Sequence, residues 1–74
     1  MKAALQVKEV WFNQPLPEYG VAYLGAGPNW PGIAIVADRD LREMVVKSPK
    51  YGTTRVPFEN VRQYKAGGLA KADE

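Results

Sequence analysis

Thr53-Thr54-Arg55-Val56-Pro57-Phe58-Glu59-Asn60-Val61-Arg62-Gln63-Tyr64-Lys65 is the stretch from which the fold of this chain is read. Two strand-like runs flank a corner at Pro57, because proline fixes φ and offers no ladder N–H. Val56, Phe58 and Val61 are spaced to face a core, while Arg55, Arg62 and Lys65 stay in water. A short strand, one tight turn and a final strand close a small sheet and leave it a charged face. The stretch gives an architecture and no reaction.

Upstream, Ser48-Pro49-Lys50-Tyr51-Gly52 is a turn by composition, so residues 42–47 and 53–56 form a hairpin. Val45 and Val46 favour strand there. A helix over Asp40–Lys47 competes, since Asp40 and Glu43 fit a capping box. A turn at Asp38–Asp40 separates this region from an apolar strand at Ile33–Ala37, and Gly20–Leu24 is another short strand. Between these two lies Gly25-Ala26-Gly27-Pro28-Asn29-Trp30-Pro31-Gly32, a loop with a tryptophan near its tip. Trp30 there either folds back over the barrel end or stands out as an anchor for a partner.

The first strand, Ala3–Phe12, alternates with Leu5 and Val7 on one face, then slips phase so that Val10 and Phe12 carry the apolar set. A β-bulge near Lys8–Glu9 repairs the slip and bends the strand. Asn13–Glu18, with prolines at 15 and 17, is an extended loop. Residues 1–65 therefore read as one domain, and residues 66–74, opened by Gly67-Gly68, as a flexible tail.

The 74 residues include no cysteine and no histidine. Disulfides, thiolate chemistry, the commonest general base and the commonest transition-metal ligand are thereby excluded. Catalytic residues, metal and cofactor are all expected to be absent. Ser48 has no base to activate it, and Asp38, Asp40 and Glu43 sit among Arg39 and Arg42 as a solvated, ion-paired turn would. No apolar run is long enough for a membrane helix and no leader pattern is present. A cytoplasmic protein without membrane contact is the expectation. The net charge of +2 conceals an asymmetry: residues 39–65 are basic, whereas the segments on either side are slightly acidic. Such a half attracts anionic partners.

Short strands and turns at this spacing resemble a small SH3-like barrel: all-β, with five or six antiparallel strands and a 3₁₀ turn before the last. Val56-Pro57-Phe58-Glu59-Asn60-Val61 is similar to the closing segment of such barrels. It also resembles the end of small bacteriophage proteins in which Val-Pro, an aromatic residue and Asn-Val recur. The similarity covers Met44–Lys65. It implies a barrel rather than recognition of proline-rich ligands, because the acidic, tyrosine-rich opening strand of signalling SH3 domains is missing.

Two functional readings follow, both non-enzymatic. In the first, which the phage resemblance implies, the chain docks on a host or phage protein such as a transcription or nuclease complex. Trp30, Tyr19, Arg39 and Arg42 are its candidate contacts, and homodimerisation through a sheet edge is a variant of it. In the second, single-stranded or non-specific nucleic acid binds along a continuous basic-aromatic strip. Lys47, Lys50, Tyr51 and Arg55 would supply its hairpin half, and Arg62 and Lys65 the half on the last strand. The modest charge places protein first.

Overall fold

A computed structural model describes residues 4–26 and 30–69. Six strands follow in order: β1 (Ala4–Phe12), β2 (Tyr23–Gly25), β3 (Ala34–Asp38), β4 (Glu43–Ser48), β5 (Gly52–Pro57) and β6 (Val61–Leu69). A 3₁₀ turn at Phe58–Asn60 joins the last two. Every pairing is antiparallel, and the sheet curls into a half-barrel. The all-β class and the 3₁₀ turn before the final strand are as the sequence implies. The competing helix over Asp40–Lys47 is not formed. Residues 43–48 pair with β3 on one edge and β5 on the other, which gives Val45 and Val46, both buried, the pleated setting that β-branched residues favour.

β1 is the spine of the molecule. One edge pairs with β6 from Leu5 to Phe12. On the other edge, Ala4–Val7 pair with β3 and Glu9–Trp11 with β2. Glu9 opposes Gly25 while Val7 opposes Ile35. β2 and β3 are thus two halves of one partner strand, and residues 30–33 before β3 lie outside both. The apolar phase slip falls at this same point. The β1–β6 ladder shifts register between Val7 and Glu9, and Val7 and Val10 are both buried. The bulge re-aims β1 so that each half buries its own apolar set.

The core lies inside the curl. Val7, Val10 and Phe12 of β1 meet Leu24, Ile35, Ala37, Met44, Val46 and Val56, and Leu16 plugs one end from the β1–β2 loop. Burying side chains of this kind stabilises by roughly 1.5–3 kcal/mol each before conformational entropy is subtracted. Two hydrogen bonds lock the proline corner. Phe58 donates its amide to the Arg42 carbonyl at 2.9 Å, and Asn13 donates its amide to the Asn60 carbonyl at 2.7 Å.

Two boundaries differ from the sequence reading. The strand expected at Gly20–Leu24 is confined to Tyr23–Gly25, because the residues before it close a loop instead. Tyr19 and Gly20 donate to the Leu16 carbonyl, and Leu16 donates to Val21. The last strand runs on to Leu69, past the Lys65 boundary at which the tail was expected to begin. Leu5 and Gln6 at the start of β1 pair with Leu69 and Gly68, so this stretch completes β1's edge. The rest of that tail, residues 70–74, lies outside the described residues.

Candidate functional site

Three loops meet where β4 turns into β5. The β1–β2 loop, folded around Leu16, delivers Tyr19. The segment before β3, residues 30–33, delivers Trp30 and Pro31; Ile33 donates its amide to the Trp30 carbonyl at 3.1 Å. The β4–β5 hairpin delivers Pro49, Lys50 and Tyr51. Its tight turn is held by Ser48 Oγ, which accepts from the Lys50 and Tyr51 amides at 3.1 and 3.2 Å. Gly52 ends that turn at φ +74°, the left-handed residue a three-residue hairpin requires.

These loops enclose a groove of about 260 Å³, walled by Tyr19, Trp30 and Tyr51 with Pro31, Pro49 and Ile33. Tyr19 stands at its centre. Its ring meets Trp30 nearly at right angles at 6.3 Å and Tyr51 at 68° and 4.9 Å. Each such edge-to-face contact adds roughly 0.5–1.5 kcal/mol beyond area burial. Lys50 Nζ lies 5.2 Å from the centre of the Tyr51 ring, within cation–π range. The Tyr19 hydroxyl is buried and has no hydrogen-bond partner among the described residues. Trp30 is half-buried against the core and lines the groove as well, so it both folds back and offers a surface.

Arg39 and Arg42 lie elsewhere, in the β3–β4 turn at the opposite end of β4. There Asp38, rather than the expected Asp40, is the capping group: its Oδ1 accepts from the Asp40 and Leu41 amides, both at 3.1 Å. The residues that would follow the cap turn back into β4, so no helix grows. Arg42 adopts φ +56°. A second groove, of about 290 Å³, runs between Leu41, Arg42 and Glu43 on one side and Pro57, Phe58 and Glu59 on the other. The expected quartet of protein contacts is therefore split, with Tyr19 and Trp30 at one end and Arg39 and Arg42 at the other.

The expected nucleic-acid strip is divided too. β5 is the last strand of the path β2-β1-β3-β4-β5, and β6 pairs with β1, so the hairpin and the last strand are not neighbours in the ladder. On β6, Lys65 opposes Glu9 and Tyr64 opposes the buried Val10, while Arg62 is exposed at the register shift between Val61 and Gln63. Two of the cations are also paired: Arg55 with Glu43 at 3.2 Å and Lys65 with Glu9 at 3.7 Å. Lys50 and Tyr51 instead join Tyr19 and Trp30 in the aromatic groove. Lys47 is an exposed residue one position before Ser48 on the same hairpin.

A further cluster crosses the outer face of β1. Trp11 and Tyr23 are cross-strand partners with ring centres 4.8 Å apart. Lys65 Nζ lies 5.9 Å from the Trp11 ring centre. Partial desolvation raises the Tyr23 hydroxyl above its ordinary value of 10.0, and the Glu9 carboxylate that accepts its hydrogen bond raises it further. Gly25 lies beneath: a Cβ built there would meet the Tyr23 hydroxyl at 3.0 Å and Trp30 Cδ1 at 3.5 Å.

Pro31, Ile33 and Pro49 are groove residues that the sequence reading did not single out. The available signal was Trp30-Pro31 and Pro49-Lys50-Tyr51, prolines beside aromatics in two separate turns. Among the described residues no three acidic side chains cluster as metal ligands would, and no helix is long and apolar enough to cross a membrane. No protein-family model, curated protein or solved structure matches this chain.

Proposed function

We propose that this chain is a non-enzymatic binding module that takes an extended segment of a partner protein in the groove formed by Tyr19, Trp30 and Tyr51. The carrying observation is convergence. Three loops distant in sequence place three aromatic rings and two prolines around one concave surface. Aromatic anchors in a preformed cleft supply most of the energy of many protein interfaces. Three of the carboxylates have structural work: Asp38 holds its turn, Glu43 pairs with Arg55, and Glu9 with Lys65. The similarity of Val56–Val61 to the ends of small phage proteins supports a cytoplasmic partner of phage or host origin.

Single-stranded nucleic acid is the weaker reading. A strand-tracking groove needs several cations along the path of the phosphates, with open ring faces between them. Here the cations diverge, and two of the rings meet Tyr19 edge to face.

The test is affinity capture from lysate with the wild-type protein, Trp30→Ala and Leu41→Ser, the last altering the opposite end. A partner retained by wild type and Leu41→Ser but lost with Trp30→Ala is the expected result. Identical partners from all three proteins would remove the groove from consideration.

A further inference from the structure

Lys50 differs from the paired cations. It is the one ammonium on the groove wall, and no carboxylate lies within ion-pair distance of it among the described residues. Lys65 and Arg55, by contrast, each face a glutamate. The surrounding sequence offers Lys50 no local partner either. From Met44 to Phe58 the chain carries Lys47, Lys50 and Arg55 and no acidic residue, and Arg55 is already engaged. Among the described residues no carboxylate lines the groove, whose other walls are aromatic rings, prolines and an aliphatic side chain, with the Ser48 hydroxyl beside them. The Ser48 Oγ is already occupied by two turn amides.

We infer that the groove is specific for an acidic peptide segment: an extended stretch with apolar side chains for the aromatic wall and an aspartate or glutamate placed to meet Lys50. This rests on the protein-binding reading above and adds the chemistry of the ligand. Groove size agrees with it. At about 260 Å³ the space is just below the roughly 300–1,000 Å³ of pockets that enclose a whole small molecule, so it suits a few side chains of a longer chain. Charge complementarity selects the sign. Basic ligands would meet Lys50 with no compensating acid on the groove wall, and like charges across an interface are strongly disfavoured.

The experiment is selection from a displayed library of random twelve-residue peptides on four baits: wild type, Lys50→Gln, Trp30→Ala and Tyr51→Ala. Circular dichroism confirms the fold of each bait. The expected result is an acidic, apolar-containing pool from wild type that is absent from the Trp30→Ala and Tyr51→Ala baits. Peptides from that pool should bind Lys50→Gln about two- to fivefold more weakly than wild type, the range for a partly exposed ion pair. The difference should shrink in 1 M salt, where screening acts within about 3 Å. A wild-type pool that needs Trp30 but shows no excess of Asp or Glu overturns the acidic specificity and leaves the groove reading standing. No enrichment above the Trp30→Ala and Tyr51→Ala backgrounds overturns both. Displacement of a selected peptide by a labelled thymidine 20-mer at low salt would assign the site to nucleic acid instead.

Discussion

At the hairpin end of the sheet, the left-handed backbone positions belong to glycines, Gly32 and Gly52; at the β3–β4 turn, Arg42 holds the same conformation. For a residue with a side chain that conformation costs roughly 1–2 kcal/mol, which glycine avoids. The two ends also differ in what holds them. Aromatic rings and prolines pack the groove end, with Gly32 close against Pro49. Hydrogen bonds accepted by the Asp38 carboxylate and the Arg42 carbonyl, with the Glu43–Arg55 pair, hold the turn end. Ring-against-ring packing holds the aromatic anchors in fixed relative positions. The turn end is built from polar contacts that water can replace.

The largest expected effect tests the packed end. A Cβ at Gly32 would stand 2.9 Å from Pro49 Cγ, in a ring with little freedom to yield, and φ is +81°. Gly32→Ala should therefore cost about 2 kcal/mol or more, a fall in Tm of roughly 10 °C in a domain of this size. Gly52→Ala has the same backbone strain but open space around it, so about 1–2 kcal/mol is expected. Equal losses for the two variants in thermal melts would show that loop-against-hairpin packing contributes nothing. Arg42→Gly reverses the sign at the other end: relief of the left-handed strain should stabilise by up to about 1 kcal/mol, since glycine returns part of the gain as chain entropy. A clear loss of stability would mean that the Arg42 side chain holds the turn, and the contrast between the ends would fail. The smallest effect concerns Tyr19. Its buried hydroxyl has no partner among the described residues, so Tyr19→Phe removes none of their hydrogen bonds and should leave denaturant stability within about 0.5 kcal/mol of wild type. A loss above about 1 kcal/mol would reveal a partner for that hydroxyl.

Legibility followed the range of the interactions. The Pro57 corner, the 3₁₀ turn and the β4–β5 hairpin are local, each fixed by residues within a few positions, and they stand as the sequence implies. The bulge at Lys8–Glu9 was visible as a slip in alternation, because burial on a pleated strand has a period of two. The site was legible one residue at a time: Tyr19, Trp30, Lys50 and Tyr51 each stood out, but in two different sets. Assigning them to one surface required knowing that residues 30–33, before β3, land beside the hairpin. Arg39 and Arg42 were grouped with Trp30 by residue type alone, and the length of β4 separates them.

Chain chemistry alone settled the absence of thiol and imidazole groups, the strand-and-turn pattern and the proline-driven corner, because composition and backbone preference act at short range. Which cations are neutralised, which is left beside the aromatic rings, and which three loops share a groove were decided only by the pairing of the strands, β4 with β5 and β1 with three others. Those contacts join residues far apart in sequence through burial and register, and no local preference encodes their partners.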